Sequence, residues 1–548
     1  MKINRVILSL LICGMLLLFP EVKVHSETNS SLIESIRLFN FEGNLPPLVS
    51  DEYIIIVDGR RAKNHNNAVL FSQVIDDSAE IERYSFHLHI TPGAEGAGLA
   101  LIDLEHTGDD TLSYKALSWE QPNFTGSFGL GFDVYNPRTS HWFDENGNFY
   151  GREEREISLH WDNREVFKML SPIEFRSDPL EFDFVECDLM IRYVVAGAEI
   201  SLYLKEELII DSYFIPGMVQ YHKSPVFGAS IGELTTTVII KDFEISTEGQ
   251  KSEFAHLARI DLLQDEVFHA GRRNMSSTVD FQEIPEGNHR VIMTLDLGAP
   301  EGGFSAWDVG AAIFLIDSDS IRYEVCRYIT PYNRGYIWEF DVSHFLPLFQ
   351  DEKGLYAEVN TWEAVAEDPG EQKGWKVTTF LDFYTENQGL EPFYVENLWS
   401  GYLEYGNPED PIENKLPEIR VAVPSEARSG RLRIVVTGHG MGPNTGGAGE
   451  FMPAERTVII NGVEFTDLLW NRDCYLNPVR PQDGTWKFDR AGWAPGSIVN
   501  AWEIDLTEFV QSSDELSLQY IPMEYLNENR GDHHPAHHLF ESQIIFFK

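Results

Sequence analysis

Residues 488–496 read FDRAGWAPG and place two charged side chains beside a tryptophan in a segment rich in glycine and proline. The pattern is typical of neither a helix nor a strand, and it predicts a fixed loop. One interpretation is a structural corner, in which Asp489 bonds the turn amides and Trp493 covers a core. The other is that Asp489, Arg490 and Trp493 lie together because they shape a functional site.

A second group of residues has the side chains of a metal site. His439 and Met441 are one residue apart, and residues 532–538 read DHHPAHH. Imidazole and thioether groups are ligands of the kind that copper takes. The two segments predict a copper site if the C-terminal strand lies beside that of His439. The alternative is that 532–538 is an exposed polar loop that precedes the last strand.

The elements that position these groups are predicted to be strands. Alternating, β-branched and aromatic runs recur about every 8–15 residues and are separated by Gly, Pro, Asn and Asp. Examples are residues 53–57, 84–90, 291–295 and 431–436. Patterns for long amphipathic helices are nearly absent. The sequence therefore predicts an all-β chain of sandwiches or jelly rolls.

Two polar segments divide the chain. Residues 246–253 (STEGQKSE) and 406–417 (GNPEDPIENKLP) are charged or rich in Pro and Gly, which is typical of linkers. They predict three β domains, at about 33–247, 255–390 and 395–548.

The N-terminus predicts export. A basic start, MKINR, is followed by the apolar residues 6–19 and by Val24-His25-Ser26, so residues 1–26 are expected to be a secretory signal peptide. This apolar run is shorter than the roughly 18 residues of a membrane span, and no other stretch reaches that length. We expect a mature protein without a membrane span, periplasmic or extracellular.

Composition excludes some partners. With 42 basic and 87 acidic residues the net charge is −45, which disfavours binding to nucleic acid and to anionic lipid. The mature chain would keep Cys187, Cys326 and Cys474, which are far apart. An odd number of cysteines cannot all pair internally, and no cysteine metal site is visible. We expect buried free thiols.

The first predicted domain resembles a concanavalin-like, L-type lectin sandwich. The resemblance rests on the segments 85–101, 127–136, 156–163, 198–204 and 226–245. It implies calcium ligands at Asp133 and Asn136, and the loop 144–148 adds oxygens that suit the same ion. Gly131, however, stands where some such lectins have an acidic ligand. The alternative is an ordinary turn rich in Asp and Asn, in a domain that binds glycan or acts as a spacer.

Residues 471–496, NRDCYLNPVRPQDGTWKFDRAGWAPG, resemble the signature of the peptide-N-glycosidase F family. Further segments of the family pattern follow one another in the same order: SAWD (305–308), RYITPY (327–332), WEFDV (338–342), NTW (360–362), TGHG (437–440) and GEF (449–451). The resemblance covers about residues 262–548. It implies two adjacent jelly rolls with an active site at their interface.

The resemblance also implies an activity, hydrolysis of the amide between an N-glycan and asparagine. By position, Asp308 is the principal acid or base and Glu450 assists it. The substrate-binding positions are Trp362, Asn360, His439, Arg490 and Trp493. This chemistry requires no cofactor. We expect N-glycosylated proteins or glycopeptides as partners of a monomeric bacterial enzyme, with the lectin-like domain raising their effective concentration.

Several positions depart from the family pattern. Val309 replaces an arginine, Asn360 replaces a glutamate, and Ala494 replaces a cysteine and leaves Cys474 without its family partner. One alternative is therefore a catalytically degenerate protein that binds glycan or protein. A second alternative is a copper enzyme, because the paired jelly rolls of this family also resemble those of copper monooxygenases that hydroxylate peptidylglycine.

Overall fold

A computed structural model describes residues 36–548 with gaps at 41–44, 60, 62–63, 72–74, 76–77, 92–95, 105–117, 135–154, 173–182, 232–236, 387–388, 441–448, 473 and 528–534. The predicted signal peptide, 1–26, lies outside the described residues. A short helix, α1 (Thr507–Ser512), and 3-10 turns at Ser343–Leu348, Pro369–Glu371, Ile412–Lys415 and Cys474–Leu476 connect antiparallel strands.

The first part of the chain is a two-sheet sandwich. Its strands are β1 (Ile36–Asn40), β2 (Leu48–Val49), β3 (Ile54–Asp58), β4 (His65–Phe71), β5 (Ile81–Ile90), β6 (Gly96–Ile102), β7 (Phe128–Asp133), β8 (Glu156–Trp161), β9 (Arg164–Leu170), β10 (Val185–Val194), β11 (Gly197–Leu204), β12 (Glu207–Pro216), β13 (Ser224–Ile231) and β14 (Thr237–Glu248). One seven-stranded sheet has the order β1-β4-β13-β6-β7-β8-β9, and the other β12-β11-β10-β5-β14-β3-β2.

Alternation along the strands builds the core of this sandwich. In β10 every second side chain is buried, and these residues pack with inward-facing residues of both sheets. Phe86 meets Phe132 and Phe227 edge to face across the two sheets, a favoured arrangement for aromatic rings. On the outer face of the first sheet, a side chain at Gly228 would overlap the buried Trp119, so a loop packs directly on the strands there.

The remaining strands form two jelly rolls. They are β15 (His256–Phe268), β16 (Asn274–Asp280), β17 (His289–Gly298), β18 (Gly310–Ile316), β19 (Arg322–Ile329), β20 (Tyr336–Asp341), β21 (Glu352–Val359), β22 (Trp375–Thr385), β23 (Pro392–Glu404), β24 (Ile419–Ala422), β25 (Ser429–His439), β26 (Ala454–Ile460), β27 (Val463–Leu469), β28 (Ser497–Ile498), β29 (Trp502–Asp505), β30 (Glu515–Pro522) and β31 (His537–Phe547). The first roll pairs the sheets β15-β22-β17-β20 and β16-β21-β18-β19-β28, and the second β23-β31-β25-β29 and β24-β30-β26-β27.

Strand β28 ties the two jelly rolls together. It comes late in the chain yet pairs with β19 of the first roll, with Ile498 opposite Tyr328 and Ser497 opposite Ile329. Next to it, a small buried cluster joins Ile329 to Val435, Trp493 and Val499. The core of the first roll also takes in Val395, Val479 and Ile545 from the later part of the chain. The two rolls are therefore packed as one unit.

A buried ion pair strengthens the same junction. Arg327 lies 2.7 Å from the carboxylate of Glu324. It also donates to the Thr437 hydroxyl at 3.2 Å and to the Leu539 carbonyl at 2.7 Å, both in the second roll. Every contact of this guanidinium is thus made in a site that excludes water.

The predicted fold class is confirmed: the chain is all-β, with a concanavalin-like sandwich followed by two adjacent antiparallel jelly rolls. The exact domain limits stay predictions. No helix in the described part of the chain has the length and apolarity to cross a membrane. Cys187 and Cys326 are buried free thiols, as expected. Cys474 is also buried, and its thiol donates to the Asn471 carbonyl at 3.4 Å.

The Arg327 ion pair is expected to contribute far more to stability than an exposed one. Arg327→Met leaves Glu324 buried without its cation, which costs about 3–5 kcal/mol. Arg420→Met, at a pair with Glu515 on the surface, is expected to cost at most about 1 kcal/mol. Urea denaturation of both variants measures the difference. Equal losses of stability would show that the junction does not depend on this contact.

Candidate active site

Arg490 lies at the centre of the site and is completely buried. Its Nε donates to Glu450 at 3.1 Å and its Nη2 to Asp308 at 3.4 Å. The remaining donors reach the Thr485 hydroxyl at 2.8 Å and carbonyl at 3.0 Å, and the Phe488 carbonyl at 2.8 Å. All five N–H groups of the guanidinium are therefore used. One buried cation joins a carboxylate from each jelly roll.

Asp308 is held at the start of β18 by its neighbours along the chain. Thr330 accepts a hydrogen bond from the Val309 amide at 2.9 Å, and its hydroxyl donates to the Trp307 carbonyl at 2.9 Å. These bonds fix the backbone on both sides of the carboxylate, whose side chain is 11% exposed. Burial raises the pKa of Asp308, against the opposing effects of Arg490 and a hydrogen bond from Tyr332.

Glu450 reaches the same guanidinium from the second jelly roll. The Ala491 amide donates to the Glu450 carbonyl at 2.9 Å, which anchors the turn of Glu450 to the 488–496 loop. Burial raises the pKa of Glu450, the charge of Asp308 adds to this rise, and Arg490 opposes it. The site thus holds two largely buried carboxyls, and burial raises the pKa of both. Such groups suit general acid and base catalysis near neutral pH.

Tyr332 and Thr485 complete the link between the rolls. The Tyr332 hydroxyl lies 3.1 Å from the Thr485 hydroxyl, and the Tyr332 amide donates to Gln482 at 3.0 Å. Burial raises the pKa of Tyr332 to about 12, so the phenol keeps its proton. Neither residue is among the site residues expected from the sequence. Tyr332 is the last residue of the RYITPY segment. That segment resembles the family pattern and could have marked Tyr332 as a site residue.

Two exposed indoles lie beside Asp308. Trp307 is 46% and Trp362 59% exposed, and their ring centroids are 5.4 Å apart. Glu363, next to Trp362, accepts hydrogen bonds from the Ser305 hydroxyl at 3.2 Å and the Ala306 amide at 3.0 Å. It therefore holds the segment that carries Trp307. Neither Trp307 nor Glu363 was assigned to the site from the sequence.

Trp493 and His439 lie behind the carboxylates. Trp493 is 4% exposed, donates to the Gly438 carbonyl at 2.8 Å and lies under the Arg490 guanidinium. His439 stacks on Trp493 with ring centroids 5.3 Å apart, and burial lowers its pKa well below the ordinary value. This differs from the expectation that Arg490 and Trp493 bind substrate. Because both are buried, they support the carboxylates from within.

Two of the departures from the family pattern, Val309 and Asn360, have different surroundings. Val309 is buried in the core of the first jelly roll, where an apolar side chain fits. Asn360 is exposed. Its backbone N–H donates to the carbonyl of Gly310 at 3.0 Å, and Gly310 is two residues from Asp308 in the sequence. The Asn360 side chain therefore lies at the surface of the site, as its assignment to substrate binding requires.

The predicted metal sites are only partly described. Asp133 ends β7, while Asn136 and 144–148 lie outside the described residues. A side chain at Gly131 would overlap the Glu120 carbonyl, so no acidic ligand fits there. His439 does pair with His537 across β25 and β31, as the copper hypothesis requires. However, no group of three His, Cys, Asp or Glu side chains in the described ranges could hold a metal ion.

Paired jelly rolls with an acidic site at their junction define the structural class of the C-terminal half of the chain. Within it, residues 409–540 match the family model described as peptide-N-glycosidase F, C terminal. A peptide-N(4)-(N-acetyl-beta-D-glucosaminyl)asparagine amidase F of Elizabethkingia miricola is 25% identical over 259 residues, 44% of this chain and 68% of the relative. The predicted resemblance to this amidase family is confirmed.

The chain is also similar to solved structures. PNGase F, a glycosylasparaginase from Flavobacterium meningosepticum, has a TM-score of 0.46 at 20% identity, covering 54% of this chain and 96% of its own. The exoplasmic/lumenal domain of VIP36, in a Ca2+/Man3GlcNAc-bound form, has a TM-score of 0.27 at 14% identity, covering 40% and 88%.

Removal of the central cation is expected to change how both carboxyls titrate. Because Arg490 opposes the rise in pKa at Asp308 and Glu450, Arg490→Met should raise both pKa values further. Arg490→Lys keeps the charge and should raise them less. Carbon-13 NMR titration of the carboxyl groups, assigned with Asp308→Asn, measures the shifts.

The same change has a thermodynamic signature. A carboxyl whose pKa is higher in the folded than in the unfolded state binds protons on folding, so stability falls as pH rises between the two values. The stability deficit of Arg490→Met relative to wild type should therefore grow as pH rises from the already raised carboxyl pKa values of the wild-type protein to the higher values of the variant. A deficit that is independent of pH would contradict the assigned role of Arg490.

Proposed function

We propose that this chain is an amidase that hydrolyses the bond between an N-glycan and the asparagine side chain of glycoproteins. The observation that carries the proposal is the pair Asp308 and Glu450, each bound to one buried guanidinium. Glu450 and Arg490 lie within residues 409–540, which match the peptide-N-glycosidase F family model, and the chain is similar to a named asparagine amidase. Export of the protein and assistance by the lectin-like sandwich are parts of the same proposal.

The residue types can carry out each step. As the less exposed carboxylate, Asp308 removes a proton from water, whose oxygen attacks the amide carbon. Glu450, which shares the cation, gives a proton to the nitrogen as the carbon–nitrogen bond breaks. The products are aspartate and a glycosylamine. Each proton transfer of this kind contributes typically about 100- to 10,000-fold in rate. Arg490 has no free donor, so its role is to hold both acids rather than the substrate.

The exposed indoles of Trp307 and Trp362 supply the binding surface. Their apolar faces can cover the flat face of a sugar and keep water away from the carboxylates, which strengthens the electrostatic interactions there. Asn360, exposed at the same edge, can hydrogen-bond a sugar hydroxyl or amide. We place the sugar nearest the amide on this surface.

The first test is mass spectrometry of a denatured N-glycoprotein after incubation with the mature chain. Wild type is expected to convert glycosylated asparagine to aspartate. Asp308→Asn should lower kcat/KM at least about 100-fold because the base is lost. Asp319→Asn, at an exposed turn of the same jelly roll, is the matched control and should keep wild-type activity. Turnover should be indifferent to chelators.

Failure of this test favours the second candidate. If no conversion occurs over long incubation with several glycan types, while glycan is still bound, then Val309 and Asn360 mark a catalytically degenerate binding protein. If activity survives in Asp308→Asn, the proposed roles of the two carboxyls are wrong. If copper binds stoichiometrically through the histidines, the oxidase-like alternative is favoured instead.

Removal of the exposed Trp362 indole is expected to weaken substrate binding. Trp362→Ala should raise KM about tenfold with a smaller change in kcat, because roughly 1–2 kcal/mol of apolar contact with the sugar is lost. Trp362→Phe should restore most of the affinity. A loss that falls wholly on kcat would place Trp362 in the chemical step rather than in binding. Steady-state kinetics with a dansylated glycopeptide separates these outcomes.

A further inference from the structure

A cavity of about 620 Å³ lies where the sandwich meets both jelly rolls. The sandwich contributes Asn163 and Arg164, the first roll contributes Arg334, and the second contributes Trp486 and Lys487. Its volume is within the range of about 300–1,000 Å³ that ligand sites occupy. All three parts of the chain therefore build one enclosure that none of them could form alone.

The cavity walls are held in place by bonds between these parts. The Tyr336 hydroxyl donates to the Glu165 carbonyl at 2.7 Å, and Arg164 lies 2.6 Å from Glu339. Deeper in the wall, Arg480 of the second roll lies 3.2 Å from Glu156 and 3.3 Å from Glu165 of the sandwich. Because these contacts are largely shielded from water, the enclosure is formed before any ligand binds.

The cavity borders the candidate active site. Trp486 and Tyr475 line it and pack in one buried cluster with Tyr332, whose pKa is affected by a hydrogen bond with Asp308. Thr485, the residue before Trp486, bonds both Tyr332 and Arg490. Tyr332 therefore contacts Asp308 and also the residues that line the cavity, so a glycan whose first sugar lies beside Asp308 has this cavity close by.

The charge of the cavity is opposite to that of the chain. Four cations line it against two carboxylates, in a protein of net charge −45. Glu156 and Glu165 are matched by Arg480 and also by the buried Lys168, at 2.7 and 3.1 Å, and Arg164 is matched by Glu339. Two cations, Arg334 and Lys487, remain in excess.

Neither excess cation has a carboxylate partner among the described residues. Arg334 donates to the Pro481 carbonyl at 2.7 Å, and the Lys487 ammonium lies over the Trp486 ring, 5.6 Å from its centroid. Side-chain amides of Gln121, Asn123 and Asn163 add neutral donors and acceptors. Amides and an aromatic ring suit sugar hydroxyls and faces, whereas an excess of cations in a concave site favours an anion.

We propose that this cavity binds the part of the glycan remote from the cleaved amide, and that it selects glycans bearing an anionic group. The group is a sugar carboxylate or a phosphate or sulfate ester, which offer the same oxygen acceptors to Arg334 and Lys487. The placement of the glycan rests on the proposed amidase function. The preference for an anion rests on the cavity alone.

The test uses free oligosaccharides, which lack the amide, and the full mature chain. Calorimetry compares a sialylated biantennary oligosaccharide with its desialylated form, and a mannose-6-phosphate oligosaccharide with its dephosphorylated form. At least one anionic member should bind about tenfold tighter than its neutral counterpart, as expected for one charge-assisted hydrogen bond. The difference should shrink as salt is raised. The two pairs show which anion is taken.

Substitutions at the two cations test whether the preference for anionic oligosaccharides arises in this cavity. Lys487→Gln and Arg334→Gln should each reduce the preference for the anionic member. Two variants are used so that the test still holds if one of them does not fold. Lys205→Gln, at an exposed hairpin of the sandwich, is the matched control and should keep the preference. Equal affinity for charged and neutral members, or a preference unchanged in both variants, would overturn the proposal. Equally tight binding of an acidic peptide without sugar would also overturn it.

The outcome is separable from that of the amidase assay. If neutral glycopeptides are cleaved but no anionic preference exists, the cavity proposal fails and the amidase stands. If the preference depends on Lys487 but no amide is cleaved, the cavity proposal stands and the amidase fails.

Discussion

The buried guanidinium of Arg490 is the contact on which the C-terminal half of the molecule depends. A charge in this position costs several kcal/mol to remove from water, and it is stable because two carboxylates and three oxygen acceptors surround it. Asp308 comes from one jelly roll and Glu450 from the other. The same contact therefore orients the two rolls and brings together the groups proposed to act on the amide.

The sequence allowed the fold class and the place of the site to be predicted, for different reasons. Alternation with period two, as in β10, directly reflects which face of a strand is buried. The unusual residues in 471–496 marked a segment whose composition a plain turn does not require. Both interpretations of 488–496 hold in part, since Trp493 does cover a buried cluster while Arg490 binds the acids.

The rest depends on contacts that periodicity does not encode. Tyr332 and Thr485 are separated by 153 residues, and only the packing of the two rolls brings them within 3.1 Å. The burial of Trp493 follows from the same packing, so the resemblance alone led to its assignment to substrate binding. Likewise, the cavity at Arg334 and Lys487 requires three parts of the chain, and no local pattern signals it.

The pairing of β28 with β19 determines when, during synthesis and folding, the candidate active site can be completed. Arg490 is synthesised 182 residues after Asp308, and β28 follows it. Chains fold from the N-terminus as they emerge, so the first jelly roll forms with an open sheet edge and a carboxylate that lacks its cation. On the proposed export, in which the chain crosses a membrane unfolded, both would be completed only on the far side. The carboxylates and their cation would then come together after transit and not during it.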